Sequence, residues 1–149
     1  MKKSIFLIAL GFTTLTACAQ KVKEADVPVA VKATFLKLYP NVKGAEWEKE
    51  GTDFEAGFDL NKVETSVVID PSGNLKETEM EISASSLPKS VTDYIAKNLA
   101  GKKVKEAAKI TDAKGNVNYE AEVDEADYLF DSNGNFLKKV VEAPDTEKD

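Results

Sequence analysis

The chain has 149 residues, of which 42% are hydrophobic and 31% charged, with 8 glycines and 5 prolines. This composition is typical of one folded domain or two very small ones, and it excludes a disordered chain. The sequence contains no histidine and no arginine, and its one cysteine is Cys18. These absences exclude Ser-His and Cys-His nucleophiles, imidazole metal ligands and bidentate arginine clamps, so they favour a protein that is not an enzyme.

The first twenty residues have the features of an export signal. Lys2 and Lys3 precede an apolar run at residues 5–12, and small residues follow that run. Leu15-Thr16-Ala17-Cys18 is similar to a bacterial lipoprotein box. This motif makes Cys18 a lipidation candidate and predicts an exported lipoprotein, periplasmic or anchored in the outer membrane. The alternative is ordinary cleavage after Ala19, which would release a soluble exported protein.

The charge of the chain restricts its partners. The formal net charge is −6, and cleavage before Cys18 would remove two lysines and leave about −8. Nucleic acid and anionic membrane surfaces are poor partners for such a protein, so we expect membrane contact only through an anchor on Cys18. A protein or peptide with a basic face, or a divalent cation, is easier to accommodate.

An internal repeat organises the sequence from residue 26 onward. Val27-Pro28, Val31 and Phe35 correspond to Leu87-Pro88, Val91 and Ile95 at an offset of sixty residues, and Asp70, Gly73 and Asn74 correspond to Asp131, Gly134 and Asn135 at sixty-one. We therefore predict one domain at residues 21–149, made of two repeats at about 26–83 and 85–143. A flexible acidic tail at 144–149 follows them.

Each repeat is predicted to fold as one helix followed by four antiparallel strands. Asp26 and Ser85 or Ser86 are the expected N-caps, and Pro40 and Gly101 are the expected ends of the two helices. The apolar faces of the helices comprise Val27, Val31, Phe35, Leu38 and Tyr39 in the first and Leu87, Val91, Ile95 and Leu99 in the second.

The strands are predicted from a hydrophobic period of two. They are expected at residues 45–50, 54–60, 63–70 and 75–82, and at 104–111, 117–124, 126–131 and 136–142. The predicted fold class is α+β, a tandem repeat of a helix and a four-stranded sheet with the helices on one sheet face. Two separate sheets and one continuous sheet both fit the pattern, and pairing of exposed edges favours the continuous sheet.

The pattern resembles the PepSY-like family of exported Gram-negative proteins, also known as beta-lactamase-inhibitor-like. The residues that carry the resemblance are the helix Val27-Pro28 to Tyr39-Pro40, the strands Ala45-x-Trp47 and Phe54-Glu55-Ala56, and the turn Asp70-Pro71-Ser72-Gly73-Asn74-Leu75. The resemblance implies a sheet with two helices on one side and an open face for binding, in an inhibitor-like or sensor-like role. No residue pattern here supports inhibition of a beta-lactamase.

Acidic residues alternate along several predicted strands, so the carboxylates of each run project from one sheet face. We take this as an exposed acidic face that recognises a protein or peptide, with candidate residues Glu77, Glu79, Glu81, Glu120 and Glu122. Trp47 is a further candidate anchor if it faces outward, although its alternation with glutamates favours the helix side. The plainer interpretation is a solvated face with lysine pairs on adjacent strands.

Three segments share the pattern Asp-x-x-Gly-Asn, beginning at Asp70, Asp112 and Asp131. Each lies between predicted strands, where a type I turn followed by glycine closes a hairpin. The alternative is a weak calcium site, for which Asp70, Asp112, Asp131 and Asn133 are the candidate ligands. The glycine position does not match an EF-hand loop. The alternative function is therefore a calcium- or small-ligand-responsive periplasmic protein, and no other cofactor is expected.

Overall fold

A computed structural model describes residues 20–141, which form an α+β fold. The helices are α1 (Val29–Leu38) and α2 (Lys89–Asn98). The strands are β1 (Gln20–Val22), β2 (Glu46–Glu50), β3 (Asp53–Leu60), β4 (Val63–Ile69), β5 (Leu75–Glu81), β6 (Glu106–Asp112), β7 (Val117–Glu122), β8 (Ala126–Asp131) and β9 (Phe136–Val141). They follow one another in sheet order as in the chain. The predicted export signal, Cys18 and the predicted tail lie outside the described residues.

The described chain forms two compact units. The first comprises residues 20–80 and 111–115, and the second comprises 81–110 and 116–141. No helix within residues 20–141 is long and apolar enough to cross a membrane. The predicted strand positions agree with the structure to within two residues, and β1 is an additional strand that the sequence analysis did not predict.

In the first unit, α1 covers one face of the sheet. Val31 and Phe35 from the helix pack with Trp47, Ala56 and Val67, and all five side chains are buried. The ring of Phe35 meets Trp47 edge-on at 5.3 Å between centroids, which is a favourable aromatic arrangement. Trp47 therefore faces the helix and is 5% exposed, so it is not an outward anchor.

In the second unit, α2 covers its sheet in the same way. Val91 and Ile95 pack with Ala121, Tyr128 and Phe130 in a single buried cluster. A second aromatic group lies at the margin of this cluster, where the rings of Tyr94 and Phe136 are parallel and 4.9 Å apart.

Both helices begin later than predicted. Pro28 and Pro88 occupy the N-cap positions and make no side-chain capping bond. The predicted caps lie in short 3-10 turns that precede the helices, Glu24–Asp26 and Ala84–Ser86. Proline at the helix entry explains the shift, because its ring fixes φ near the helical value and its missing N–H costs nothing there. Leu38, predicted on the buried face, is 43% exposed.

The glycine turns after β4 and β8 lie against the helices. Thr34 of α1 donates a hydrogen bond to the carbonyl of Gly73 at 2.6 Å, and Ser90 of α2 donates to the carbonyl of Asn133 at 2.7 Å. Gly73 and Gly134 adopt φ of +89° and +79°, as the predicted type I turn followed by glycine requires. These turns therefore attach each helix to the end of a hairpin.

Candidate functional site

The first unit has an acidic face on the side of its sheet opposite α1. We define this acidic face by the carboxylates whose strand positions point away from the helix: Glu46, Glu48, Glu50, Asp53, Glu55, Asp59, Glu64, Glu77 and Glu79. The pairing register places them on one face because side chains alternate along a strand. Ser66 and Val68 of β4 lie among them and are buried.

Carboxylates meet directly at three positions of this face. Glu48 of β2 is the cross-strand neighbour of Glu55 of β3, and Glu50 is the neighbour of Asp53. Asp59 of β3 is the neighbour of Glu64 of β4. Val68 of β4 is the cross-strand neighbour of both Glu55 on β3 and Glu77 on β5, so it lies between these two carboxylates. Like charges at directly opposed positions destabilise a sheet, so this face carries an electrostatic cost when all its groups are ionised.

Burial adds to this cost and shifts two of the groups. The pKa of Glu50 is raised to about 8, mainly by desolvation and in addition by the charges of Glu55, Glu77, Glu48 and Asp53, in that order. The pKa of Glu55 is raised to about 7, again mainly by desolvation, while a hydrogen bond with Ser66 partly opposes the shift. Near neutral pH these two groups therefore hold protons that an exposed glutamate would have lost.

The residues that the sequence predicts to bind a partner differ in how much of each side chain is exposed. Glu77 and Glu79 lie in the first unit and are 8% and 0% exposed. Glu120 of the second unit is 7% exposed. The expectation that these three carboxylates are exposed is wrong, because sheet neighbours cover side chains that a period-two pattern alone would assign to solvent.

Two other candidates remain accessible in the second unit. Glu81 is exposed, and Glu122 is partly exposed with its carboxylate 3.2 Å from the ammonium group of Lys105. Glu120 is opposite Leu129, and Glu122 is opposite the buried Asp127. The face of this unit away from α2 thus combines apolar and acidic side chains.

The aspartates proposed as calcium ligands are engaged within their own turns. Asp131 accepts hydrogen bonds from the backbone N–H groups of Asn133 and Asn135 and from the side-chain amide of Asn135, at 2.8–2.9 Å. Asp70 accepts the corresponding three bonds from Ser72 and Asn74 at 2.9 Å. The side-chain amides of the two asparagines make the largest contribution to holding the pKa values of these aspartates below their ordinary range.

The third turn also contains a backbone hydrogen bond to its aspartate. Asp112 accepts a bond from the backbone N–H of Lys114 at 2.8 Å, and Gly115 follows with a φ of +85°. Within residues 20–141, no group of three or more acidic or cysteine side chains has an arrangement that could hold a metal ion. The hydrogen bonds that Asp70 and Asp131 accept within their own turns fit the turn interpretation.

An open depression of about 270 Å³ lies beside β1 and β2. Its lining includes Lys21, Glu46, Trp47 and Glu48, so it reaches the margin of the acidic face.

Glu50 and Glu55 are not among the partner-binding candidates predicted from the sequence. The signal that could have found them is the two-residue turn at Gly51-Thr52, which joins β2 to β3 and makes Glu50 the neighbour of Asp53. A two-residue hairpin fixes the register of every later pair, so the opposition of Glu48 and Glu55 follows from it. Their burial could not be derived in the same way, because it depends on the packed sheet.

Comparisons with known proteins agree with this fold. A DUF2874 family protein from Bacteroides ovatus has a TM-score of 0.65 at 22% identity, over 76% of this chain and 87% of that one. A BLIP-like protein from Bacteroides fragilis has a TM-score of 0.62 at 23% identity, over 81% and 92%. A protein from Bacteroides eggerthii, described as "putative periplasmic", has a TM-score of 0.67 at 19% identity, over 76% and 87%.

The sequence comparisons identify a family but no individual curated relative. No curated protein sequence matches the chain. The profile of the beta-lactamase-inhibitor-like, PepSY-like family matches residues 14–77 and again residues 60–138. The two matches together cover most of the chain and coincide with the helix, the strands and the turns described above. The chain therefore belongs to the PepSY-like family.

Proposed function

We propose that the protein is a non-catalytic extracytoplasmic binding module that recognises a basic protein or peptide segment through the acidic face of its first unit. The observation that carries the proposal is the burial of like charges on that face. Glu50 and Glu55 are neighbours of other carboxylates and have pKa values raised to about 8 and about 7. A lysine or arginine placed over them would neutralise that charge and favour their ionised forms.

The location follows from the export signal and from the fold. The first twenty residues have the composition of a signal peptide. The structural neighbour from Bacteroides eggerthii is described as a periplasmic protein. We infer an exported protein in the periplasm, with Cys18 as the site of a lipid anchor. The inhibitor-like name of the family gives no ground for a beta-lactamase as the partner, because no residue pattern of this chain points to one.

A duplicated scaffold is part of the proposal. The turns at Asp70 and Asp131 repeat the same three hydrogen bonds, and each turn is bound by a hydroxyl group of the helix in its own unit. We infer that the two halves descend from one helix-and-four-strand unit. The acidic face is then a specialisation of the first copy.

The test uses a fluorescent peptide of alternating lysine and valine, and a matched peptide with glutamate in place of lysine. We expect the protein to bind the lysine peptide and not the glutamate peptide, as measured by fluorescence anisotropy. The triple variant Glu46→Lys, Glu48→Lys and Asp59→Lys changes accessible positions of the acidic face and should lose the binding.

A control variant separates the site from the overall charge. Asp26→Lys, Asp93→Lys and Glu125→Lys make the same change in net charge at exposed positions outside the acidic face. This variant should retain most of the affinity. Equal loss in both variants would show that only net charge attracts the peptide, and the proposal would then be rejected.

A further inference from the structure

The outward side of α1 carries an apolar stripe that the fold does not use. Val29, Ala33 and Leu36 lie at i, i+4 and i+7, so they share the helix side opposite the buried Val31 and Phe35. Val29 is 80% exposed and Leu36 is 56% exposed. We name these three residues the α1 stripe.

The second unit shows that the fold does not require such a stripe. At an offset of sixty residues, α2 carries Lys89, Asp93 and Ala96 at the corresponding positions. The first two form an exposed i, i+4 ion pair at 2.6 Å. A helix of the same length, packed on its sheet in the same way, thus presents a charged outer surface. The apolar residues of α1 therefore need an explanation other than folding.

Lysines flank the α1 stripe. Helical geometry places Lys32 on one side of the stripe and Lys37 on the other. The amino group of Lys32 donates a hydrogen bond to the carbonyl of Glu24 at 3.1 Å. From residue 27 to residue 43 the sequence contains three lysines and no carboxylate, although the chain as a whole has a net charge of −6. This segment is therefore locally basic in an acidic protein.

An apolar stripe between lysines is the arrangement of a helix that lies in the surface of an anionic bilayer. The apolar side chains enter the acyl boundary, while the lysine stems extend and their amino groups meet the lipid phosphates. A stripe of three side chains is too small for a stable interface with a second copy, which commonly buries about 800 Å² on each partner.

The position of Cys18 also supports an anionic bilayer as the partner of the α1 stripe. The described fold begins at Gln20, two residues after Cys18, and two residues span about 7 Å. A chain held through Cys18 would keep its first unit next to the bilayer. A weak surface contact is then sufficient, because the tether supplies a high effective concentration.

We propose that α1 docks on an anionic lipid surface through the α1 stripe and its flanking lysines when the chain is tethered at Cys18. This surface is separate from the acidic face, so either proposal can fail while the other stands. The net charge of the whole molecule disfavours anionic membranes, and the local charge of α1 reverses that preference at one site.

The test couples the chain from Cys18 onward, through its single thiol, to a maleimide lipid in nanodiscs that carry a gadolinium-chelate lipid. Amide relaxation is measured by NMR in anionic and in zwitterionic nanodiscs. We expect stronger paramagnetic relaxation of α1 amides in the anionic nanodiscs than in the zwitterionic nanodiscs. Equal relaxation of α1 in the two kinds of nanodisc would overturn the proposal.

Two variants identify the residues responsible. Val29→Lys, Ala33→Asp and Leu36→Ala introduce the residues of α2 and should abolish the difference in α1 relaxation between the two kinds of nanodisc. Lys32→Gln with Lys37→Gln leaves the stripe in place and should lower the relaxation of α1 to its value in zwitterionic nanodiscs. An unchanged difference in both variants contradicts the proposal. Sedimentation of the untethered chain as a dimer that the triple variant dissociates would assign the stripe to a second copy instead.

Discussion

Individual glycines show how closely the turns and helices are packed. A Cβ added at Gly134 would overlap the hydroxyl oxygen of Ser90 and would lie 2.8 Å from its Cβ. A Cβ at Gly73 would lie 2.9 Å from the carbonyl oxygen of Ala30, whereas a Cβ at Gly115 would meet nothing within 4 Å. All three glycines have positive φ, so their conformational strain is similar and their packing differs.

This contrast gives a stability prediction. Gly115→Ala should cost about 1–2 kcal/mol, the strain of a left-handed alanine. Gly134→Ala should cost more, because backbone strain is joined by overlap with Ser90. Urea denaturation of both variants measures the difference, and equal losses of unfolding free energy would contradict the packing described for this turn.

Buried glutamates give a second prediction, on the pH dependence of stability. The pKa of Glu55 is raised to about 7 in the folded protein, so the folded state binds more protons than the unfolded state between about pH 4.5 and pH 7. The stabilisation is fully present below the unfolded pKa and is lost as pH rises through the folded pKa. Glu50 extends this loss to about pH 8.

Glu55→Gln should therefore flatten the fall in unfolding free energy between pH 5 and pH 8. At pH 8 this variant should be more stable than the parent by an amount on the order of 3 kcal/mol at most, since each pKa unit corresponds to about 1.4 kcal/mol. Glu125→Gln, at an exposed turn, serves as the control and should leave the pH profile unchanged. A parent protein whose stability rises over this range would contradict the burial of Glu55.

At the scale of elements, the Asp-x-x-Gly-Asn turns that begin at Asp70 and Asp131 each join a hairpin to a helix. Asp131 organises its turn by accepting three hydrogen bonds, and Ser90 ties that turn to α2. Asp131→Ala should therefore lower the melting temperature, with no need for any cation. The pKa of Asp131 is held low, so its contribution is present above the unfolded pKa and is lost as pH falls through the folded pKa.

The comparison variant for this element is Asp93→Ala, which removes an exposed carboxylate of α2 that pairs only with the neighbouring turn of its own helix, at Lys89. We expect a smaller fall in melting temperature than for Asp131→Ala, measured by circular dichroism with and without a chelator. A fall that appears only after chelation would instead identify Asp131 as a cation ligand and restore the calcium interpretation.

Most elements could be predicted from sequence because their patterns are local. The period-two strands and the buried positions Val31, Phe35, Val91 and Ile95 follow from hydrophobic spacing alone. The helix starts were predicted wrongly because serine and aspartate were preferred over Pro28 and Pro88 as entry residues. The strand β1 was missed because three residues carry too little periodicity, and its pairing with β2 is a tertiary contact.

The candidate site was less accessible to sequence reasoning. Alternation correctly groups the glutamates of one strand, but it cannot distinguish the exposed Glu81 from the fully buried Glu79 two positions earlier. That difference depends on which neighbouring strands cover each side chain. The raised pKa values of Glu50 and Glu55 depend on the same packing and on cross-strand charges, so they appear only in the folded structure.

At the scale of the whole molecule, the chain combines a common scaffold with an uneven distribution of charge. It belongs to the PepSY-like family, and its first unit carries buried carboxylates on one sheet face and a basic helix on the other. A protein without histidine or arginine has few catalytic options, and these two surfaces both fit recognition. Recognition of a basic segment by the acidic face is the central claim.

The most direct test of this claim is an NMR titration of the Glu50 and Glu55 carboxyl groups with and without the lysine and valine peptide. A cation bound over the acidic face must lower both pKa values, because it favours the ionised carboxylates. By linkage, the peptide must then bind more tightly as pH rises from about 6 to about 8. Peptide binding that leaves both pKa values unchanged would contradict the account.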